Sequence, residues 1–430
     1  MKVTLERLPE SRVQLDIEVD AERLERSLDA AYKRLAARTR VPGFRPGKAP
    51  RAMIERHIGR DRLMTEALDK LVPDVYNEAI ETEDVDAIAQ PELDKMELDP
   101  VRLKFIVSIR PTVDLGDYRS VRVEHEPVEV KDEMVEEQLQ LLRRRYAVQV
   151  PVARGAKWDD ILTGDVVGEV EGKPFVRDED AEFPLREGQV LLLPGLNEAF
   201  KGMKKGAEKT VELTIPDDFS AEDYRGKTAM FKLTVKEVKE EQLPDLDDEF
   251  ANQVNADEFP TLDALRERLR KDIGDSLEEA EKTRFRSAVV DKLVEMATLE
   301  YPKVLVEREI DNLVSESMGN DHEAYHNYLA RLGTTNAEYR ESAREAAETR
   351  LRRGLVLSKL TEAESIEVTS EEIEAERERL VAPMGDEAER FREMFSSPQG
   401  VETIHRNLMT QKTLDRIAAI ASGELQEEPA

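Results

Sequence analysis

Nine of the chain's 20 glycines fall between residues 155 and 226, at 155, 164, 168, 172, 188, 195, 202, 206 and 226. They cut that stretch into runs too short for ordinary helices, and the runs are rich in β-formers, as in Thr210-Val211-Glu212-Leu213-Thr214 and Met230-Phe231-Lys232-Leu233-Thr234-Val235. A small β-dominated domain is predicted over 155–243. After Leu243-Pro244 glycine becomes scarce, and Glu, Arg, Leu and Ala recur at helical spacing, as at Ala288, Val289, Leu293 and Ala297. Residues 244–430 are therefore expected to be mainly helical. Thr369 followed by Glu372 forms a capping box that opens one of these helices, and the acidic tail from Gly423 is expected to fray.

Upstream of the glycine-rich stretch the apolar period changes. Val3 and Leu5, then Val13, Leu15, Ile17 and Val19, alternate as half-buried strands do. Asp20 is a good N-cap for the amphipathic helix carrying Leu24, Leu28, Ala31 and Leu35, which stops near Pro42-Gly43. Helical spacing resumes from Ala52 through Ile80, and Leu103, Phe105, Val107 and Ile109 alternate again. This predicts an α+β domain over 1–115. Residues 116–154 form a connector, with strand-like Val121 and Val123 and a helix carrying Met134, Val135, Leu139 and Leu142. The fold class is thus α+β and multidomain, as expected for 430 residues, too many for one ordinary core.

No apolar run approaches the roughly 20 residues that cross a bilayer, and the N-terminus alternates in place of a signal-peptide stretch. A cytoplasmic protein without membrane partners is expected. The absence of cysteine excludes disulfides, thiolate nucleophiles and Cys-ligated metals. The net charge of -30 argues against a general nucleic-acid binder. Its distribution says more. Residues 33–60 hold nine basic side chains, Lys33, Arg34, Arg38, Arg40, Arg45, Lys48, Arg51, Arg56 and Arg60, against the single acid Glu55, a local net charge of +8. A basic patch on an acidic body reads as an oriented anchor for a polyanion.

Inside that patch lies Gly43-Phe44-Arg45-Pro46-Gly47-Lys48-Ala49-Pro50. Glycine and proline make a rigid exposed turn, Arg45 and Lys48 can reach phosphates, and Phe44 offers an apolar anchor between them. On residue types alone an ordinary solvated loop between helices fits equally well. The run resembles the signature with which the trigger factor family contacts the ribosome at the mouth of the exit tunnel. The resemblance makes Gly43, Phe44, Arg45, Pro46, Gly47, Lys48 and Pro50 the docking residues.

The middle domain is similar to an FK506-binding-protein-type (FKBP-like) prolyl isomerase. The similar segments are Gly164-Asp165-Val166-Val167, Phe183-Pro184-Leu185, Leu193-Pro194-Gly195-Leu196, Gly202-Met203-Lys204-Lys205-Gly206 and Ile215-Pro216-Asp217-Asp218-Phe219. Such an isomerase needs no nucleophile: the barrier of roughly 18–20 kcal/mol reflects amide resonance, and a dry apolar pocket favours the twisted bond. The resemblance implies a pocket lined by Phe175, Leu193, Leu196, Ile215, Phe219 and Phe231. The chain departs from the family at Leu196, usually aromatic, at Ile215, commonly Phe, and at Phe219, where a Tyr hydroxyl is usual. It is also shortened between Val167 and Gly168, where the family carries an Asp-Phe strand segment. An isomerase fold with weak or absent turnover is expected.

The C-terminal region resembles the trigger factor chaperone domain through Leu243–Phe250, Val290–Val294, Tyr301-Pro302 and Val306–Ile310, continuing through Ala346–Leu360 and Ile366–Thr369. The resemblance implies helical arms enclosing a cradle for nascent and unfolded polypeptides, reached from the connector, and leaves a homodimer off the ribosome open. No cofactor is implied. Two other functions are weighed. His322-Glu323-Ala324-Tyr325-His326 matches the H-E-x-x-H pattern of zinc metalloproteases, but no third ligand stands at a familiar spacing, and His405 is the one later histidine. His57 and His125 are isolated, so no metal site is assigned. An RNA-binding ribosome-assembly protein could use the basic segment alone, against which the acidic body argues.

Overall fold

The computed structural model describes residues 1–39, 42, 44, 49–219, 221, 224–318 and 322–424. The chain divides into two compact units, residues 1–125 with 282–430, and residues 126–281.

The first unit opens with β1 (Lys2–Leu8) and β2 (Arg12–Glu18), followed by helices α1 (Ala21–Arg38), α2 (Arg51–Ile58) and α3 (Arg60–Thr82). Strands β3 (Glu92–Leu98), β4 (Val101–Ser108) and the short β5 (Thr112–Asp114) follow. An antiparallel sheet forms in the order β1-β2-β4-β3. Alternation in β2 and β4 puts Val13, Leu15, Ile17, Leu103, Phe105 and Val107 on one face, where Leu68, Leu71, Val75 and Ala79 of α3 cover them. Helix α1 packs on α3 through Leu28, Ala31, Leu35, Leu63 and Ala67.

The structure refines one local expectation and adds one strand. The helical spacing from Ala52 to Ile80 is two helices, broken at Gly59, whose φ of +89° lies outside the reach of a helical residue. Strand β3 was not legible, because all seven of its residues are exposed and carry no inside-outside alternation. Its Leu93 and Met96 pair opposite Phe105 and Leu103 of β4 at the sheet edge.

The second unit contains α4 (Asp132–Arg145), β6 (Val148–Pro151), β7 (Asp160–Val170), β8 (Lys173–Pro184), α5 (Leu196–Phe200), β9 (Glu208–Thr214), β10 (Thr228–Gln242) and α6 (Asp248–Asn255). It closes within the long helix α7 (Leu262–Met296), which continues into the first unit. Strand β10 is the spine of the sheet: β7 pairs along one edge, while β9 and β6 pair with its two halves on the other. β8 then pairs with β7. At the entrance to this β domain Arg154 forks onto the buried Asp160 at 2.5 and 2.8 Å, with the Lys157 backbone N–H donating to the same carboxylate. A separate small core joins α4, α6 and the start of α7 through Leu139, Phe250, Ala251, Phe259 and Leu265.

Returning to the first unit, β11 (Thr298–Glu300) pairs antiparallel with β5. Among the described residues six α-helices follow, with a 3-10 helix (Ala382–Glu387) between the fourth and fifth: α8 (Lys303–Met318), α9 (His322–Leu332), α10 (Asn336–Ala363), α11 (Ser370–Val381), α12 (Ala388–Ser396) and α13 (Pro398–Ser422). Thr369 and Glu372 exchange both hydrogen bonds of the expected capping box, and Thr335 and Glu338 form a second. Val121 and Val123 are not in a strand. After a 3-10 turn at Tyr118–Ser120 the chain runs extended, and Val121 is buried with Leu115 among Phe285, Val289, Leu293, Val356, Leu360 and Ile417. The β-branched side chains at 121 and 123 serve a helical core, which their alternation alone does not reveal.

Beside this core the side chain of Glu364 is 2 % exposed. Tyr118 Oη donates to it at 2.6 Å, and the guanidinium groups of Arg119 and Arg416 donate at 2.7 and 2.8 Å. Burial pulls this carboxyl upward, but the hydrogen bonds from Tyr118, Arg416 and Arg119 outweigh it and hold it below the usual carboxylate range. A folded-state value below the unfolded one means that the node stabilises the fold above the ordinary carboxylate range and loses this effect as pH falls through the folded value. Glu364→Gln should lower unfolding free energy by about 2 kcal/mol at neutral pH. In urea titrations the gap from the parent chain should shrink as the pH falls through that range.

Candidate functional site

The basic segment joins α1 to α2, and both ends of the joint are pinned. Tyr32 Oη donates to the Ala49 carbonyl at 2.5 Å, and Ala36, Ala49 and Ile54 pack together. Of the expected docking residues, Gly43, Arg45, Pro46, Gly47 and Lys48 lie outside the described residues. Phe44 is 39 % exposed, and the exposed Pro50 takes the N-cap position of α2. The local charge count changes in three dimensions. Arg51 is held by Glu25, Asp29 and Glu55 at 2.8, 2.9 and 2.9 Å, and Arg34 by Glu66 at 2.9 Å. Hydrogen bonds to Glu25 and Glu55 raise the Arg51 pKa above that of an ordinary arginine. Among the described residues, Lys33, Arg38, Arg56 and Arg60 have no carboxylate at ion-pair distance, and all four are exposed. Met53, also 39 % exposed, adds apolar surface on α2.

In the β domain the six expected pocket residues belong to one cluster. Leu193, Leu196, Ile215 and Phe231 are exposed by 1 % or less and form its floor. Phe175 and Phe219 are half-buried and reach the surface. The ring of Phe175, on β8, lies 5.8 Å from Phe219 and 6.2 Å from Phe231, centroid to centroid. Gly168 on β7 makes this possible: a Cβ there would stand 2.7 Å from the Phe231 ring and 2.8 Å from Val176. Another glycine, Gly195, has a φ of +93° and lets the chain turn sharply into α5, which presents Leu196 to the cluster.

A fourth aromatic residue was missed. Tyr224 is half-buried, and its ring meets Phe175 edge-on at 5.1 Å. It stands five residues beyond Phe219 in a loop that nothing in the local sequence ties to Phe175. The tie is tertiary: Ile215 N–H donates to the Lys227 carbonyl and Gly226 N–H to the Ile215 carbonyl, closing the loop at its base. Arg225 Nε donates to the Phe219 carbonyl at 2.7 Å. Both rings are thereby brought over β8.

The H-E-x-x-H run opens α9. Glu323 and His326 are exposed, and the side chain of His322 lies outside the described residues. Among the described residues no group of three His, Cys, Asp or Glu side chains could hold a metal ion.

The chain combines a sheet-and-helix N-terminal module, a small β domain with an apolar cluster and a helical C-terminal region, a multidomain build that known proteins share. The family model for bacterial trigger factor protein matches residues 1–142, and the model for its C-terminus matches 261–419. The FKBP-type peptidyl-prolyl cis-trans isomerase model matches 153–236. Trigger factor of Desulforudis audaxviator is 34% identical over 98% of this chain and 97% of its own. That of Carboxydothermus hydrogenoformans is 35% identical over 96% and 98%. A solved structure concerned with promiscuous substrate recognition by the trigger factor chaperone covers 97% of this chain and 99% of its own, at 26% identity and a TM-score of 0.53. The chain belongs to the trigger factor family. It is a ribosome-associated chaperone with a prolyl isomerase-type domain.

The packing at Gly168 gives a direct test. Gly168→Ala should destabilise the β domain by about 1–3 kcal/mol, read as a lower urea midpoint. It should also disturb the near-UV signal of the aromatic cluster.

Proposed function

We propose that residues 43–50 dock this chain on the ribosome beside the exit tunnel, on ribosomal protein and RNA, while other surfaces hold nascent and unfolded polypeptides. The observation that carries the reading is the exposed Phe44 in a segment flanked by four unpaired exposed cations, Lys33, Arg38, Arg56 and Arg60, on a chain of net charge -30. Phosphates attract the segment and repel the remaining acidic surface, which sets orientation as well as affinity. The ion-paired Arg34 and Arg51 brace the helices that present the loop.

For client chains, the C-terminal helices offer apolar side chains that solvent reaches. Met384 and Met394 are 38 % and 51 % exposed, and Phe391 stacks beside Phe395 on α12. Flexible thioethers among charges suit weak contacts with many sequences. The β domain acts on X-Pro bonds through its aromatic cluster, with turnover limited by the aliphatic Leu196 and Ile215. No helix among the described residues is long and apolar enough to cross a membrane, in keeping with a cytoplasmic site of action.

A Phe44→Ala, Arg45→Ala, Lys48→Ala variant should lose co-sedimentation with vacant ribosomes while keeping its circular dichroism spectrum. Binding that survives the triple change removes the docking assignment, and equal binding to protein-free ribosomal RNA favours an RNA-binding protein. The full chain should also accelerate proline-limited refolding of a denatured test protein. A rate equal to the uncatalysed control would reduce the β domain to a binding module.

A further inference from the structure

We propose that Tyr224 is the group through which the aromatic cluster hydrogen-bonds the backbone of a bound X-Pro segment. The proposal rests on the isomerase reading of the β domain. The expected walls, Phe175, Leu193, Leu196, Ile215, Phe219 and Phe231, carry no side-chain donor or acceptor. A peptide carbonyl buried against such walls loses its water and gains nothing in return. Tyr224 is the aromatic residue in contact with Phe175 that bears a hydroxyl. Among the described residues this hydroxyl has no hydrogen-bond partner, so it is not committed to holding the fold. Its ring is held nonetheless, edge-on to Phe175, in a loop closed by the Ile215–Lys227 and Gly226–Ile215 hydrogen bonds. Tyr224 N–H also donates to the Ala221 carbonyl, and the Tyr224 carbonyl accepts from Lys227.

The chemistry decides which carbonyl the hydroxyl serves. A donor on the oxygen of the rotating amide would favour its charge-separated resonance form and stiffen the C–N bond. A donor on a flanking carbonyl holds the chain while the bond turns and leaves the resonance of the rotating amide alone. Tyr224 therefore donates to a carbonyl beside the X-Pro bond. It contributes equally to ground-state and transition-state binding, which acts on KM and leaves kcat in place.

The test compares the full chain with Tyr224→Phe, which removes one oxygen and keeps the ring on Phe175. Isomerisation of a proline-containing tetrapeptide is followed by exchange NMR, and its binding by titration. The variant should raise KM and Kd by about three- to tenfold, the range of one neutral hydrogen bond, with kcat unchanged. Unchanged KM and Kd overturn the proposal, and so does a fall in kcat alone. Should the parent chain bind the peptide without turning it over, the isomerase reading fails by itself and the two Kd values still judge Tyr224. A parent chain that does not bind the peptide overturns both.

Discussion

The hydrophobic core around Phe285, Val289, Leu293, Val356, Leu360 and Ile417 is the constraint on which the first unit depends, because the chain leaves that unit and returns to it there. On the outgoing side Leu115 and Val121 are buried in it, and Tyr118 and Arg119 bind the carboxylate of Glu364. At the end of the outgoing side His125 stacks at 3.6 Å on Phe285 of the returning helix, and returning β11 pairs with β5. Both crossings are thus fixed in a single core, and 156 residues can intervene between them without interrupting it. The same arrangement explains the short β5–β11 pair: its backbone groups satisfy each other where a helix could not.

The candidate sites obey opposite electrostatic rules. In the N-terminal module charge dominates the surface around the α1–α2 joint, and the structure sorts the cations into two kinds. Arg34 and Arg51 spend their charge on Glu66, Glu25, Asp29 and Glu55 to brace α1, α2 and α3, whereas Lys33, Arg38, Arg56 and Arg60 keep theirs for solvent. In the β domain the cluster is apolar, with Leu193, Leu196, Ile215 and Phe231 as its floor and Phe175, Phe219 and Tyr224 as its rim. The first site suits a polyanion at long range; the second suits a proline ring at contact distance.

Several elements were legible because their cause is local. The alternation of Val13, Leu15 and Ile17 and the Thr369–Glu372 capping box are contained within a few residues, and both take the expected form. Strand β3 was not legible because its stability comes from pairing with β4, while its own side chains face water. Val121 was misread as part of a strand for the complementary reason: it is apolar because a distant helical core receives it. At Gly59 the apolar spacing concealed a break that one backbone angle produces.

By itself the sequence determined the order of modules, the site of the Thr369–Glu372 capping box and the position of the basic segment, since each is written in neighbouring residues. Through a family resemblance it also supplied six of the apolar residues in the β-domain cluster. Only the tertiary structure decided which cations remain free, because their acidic partners Glu25, Asp29 and Glu66 come from α1 and α3. The tertiary structure likewise placed Tyr224 against Phe175, 49 positions earlier in the chain. Ring contacts and ion pairs are made across space between separate elements, and no periodicity within either element encodes the partner it will meet.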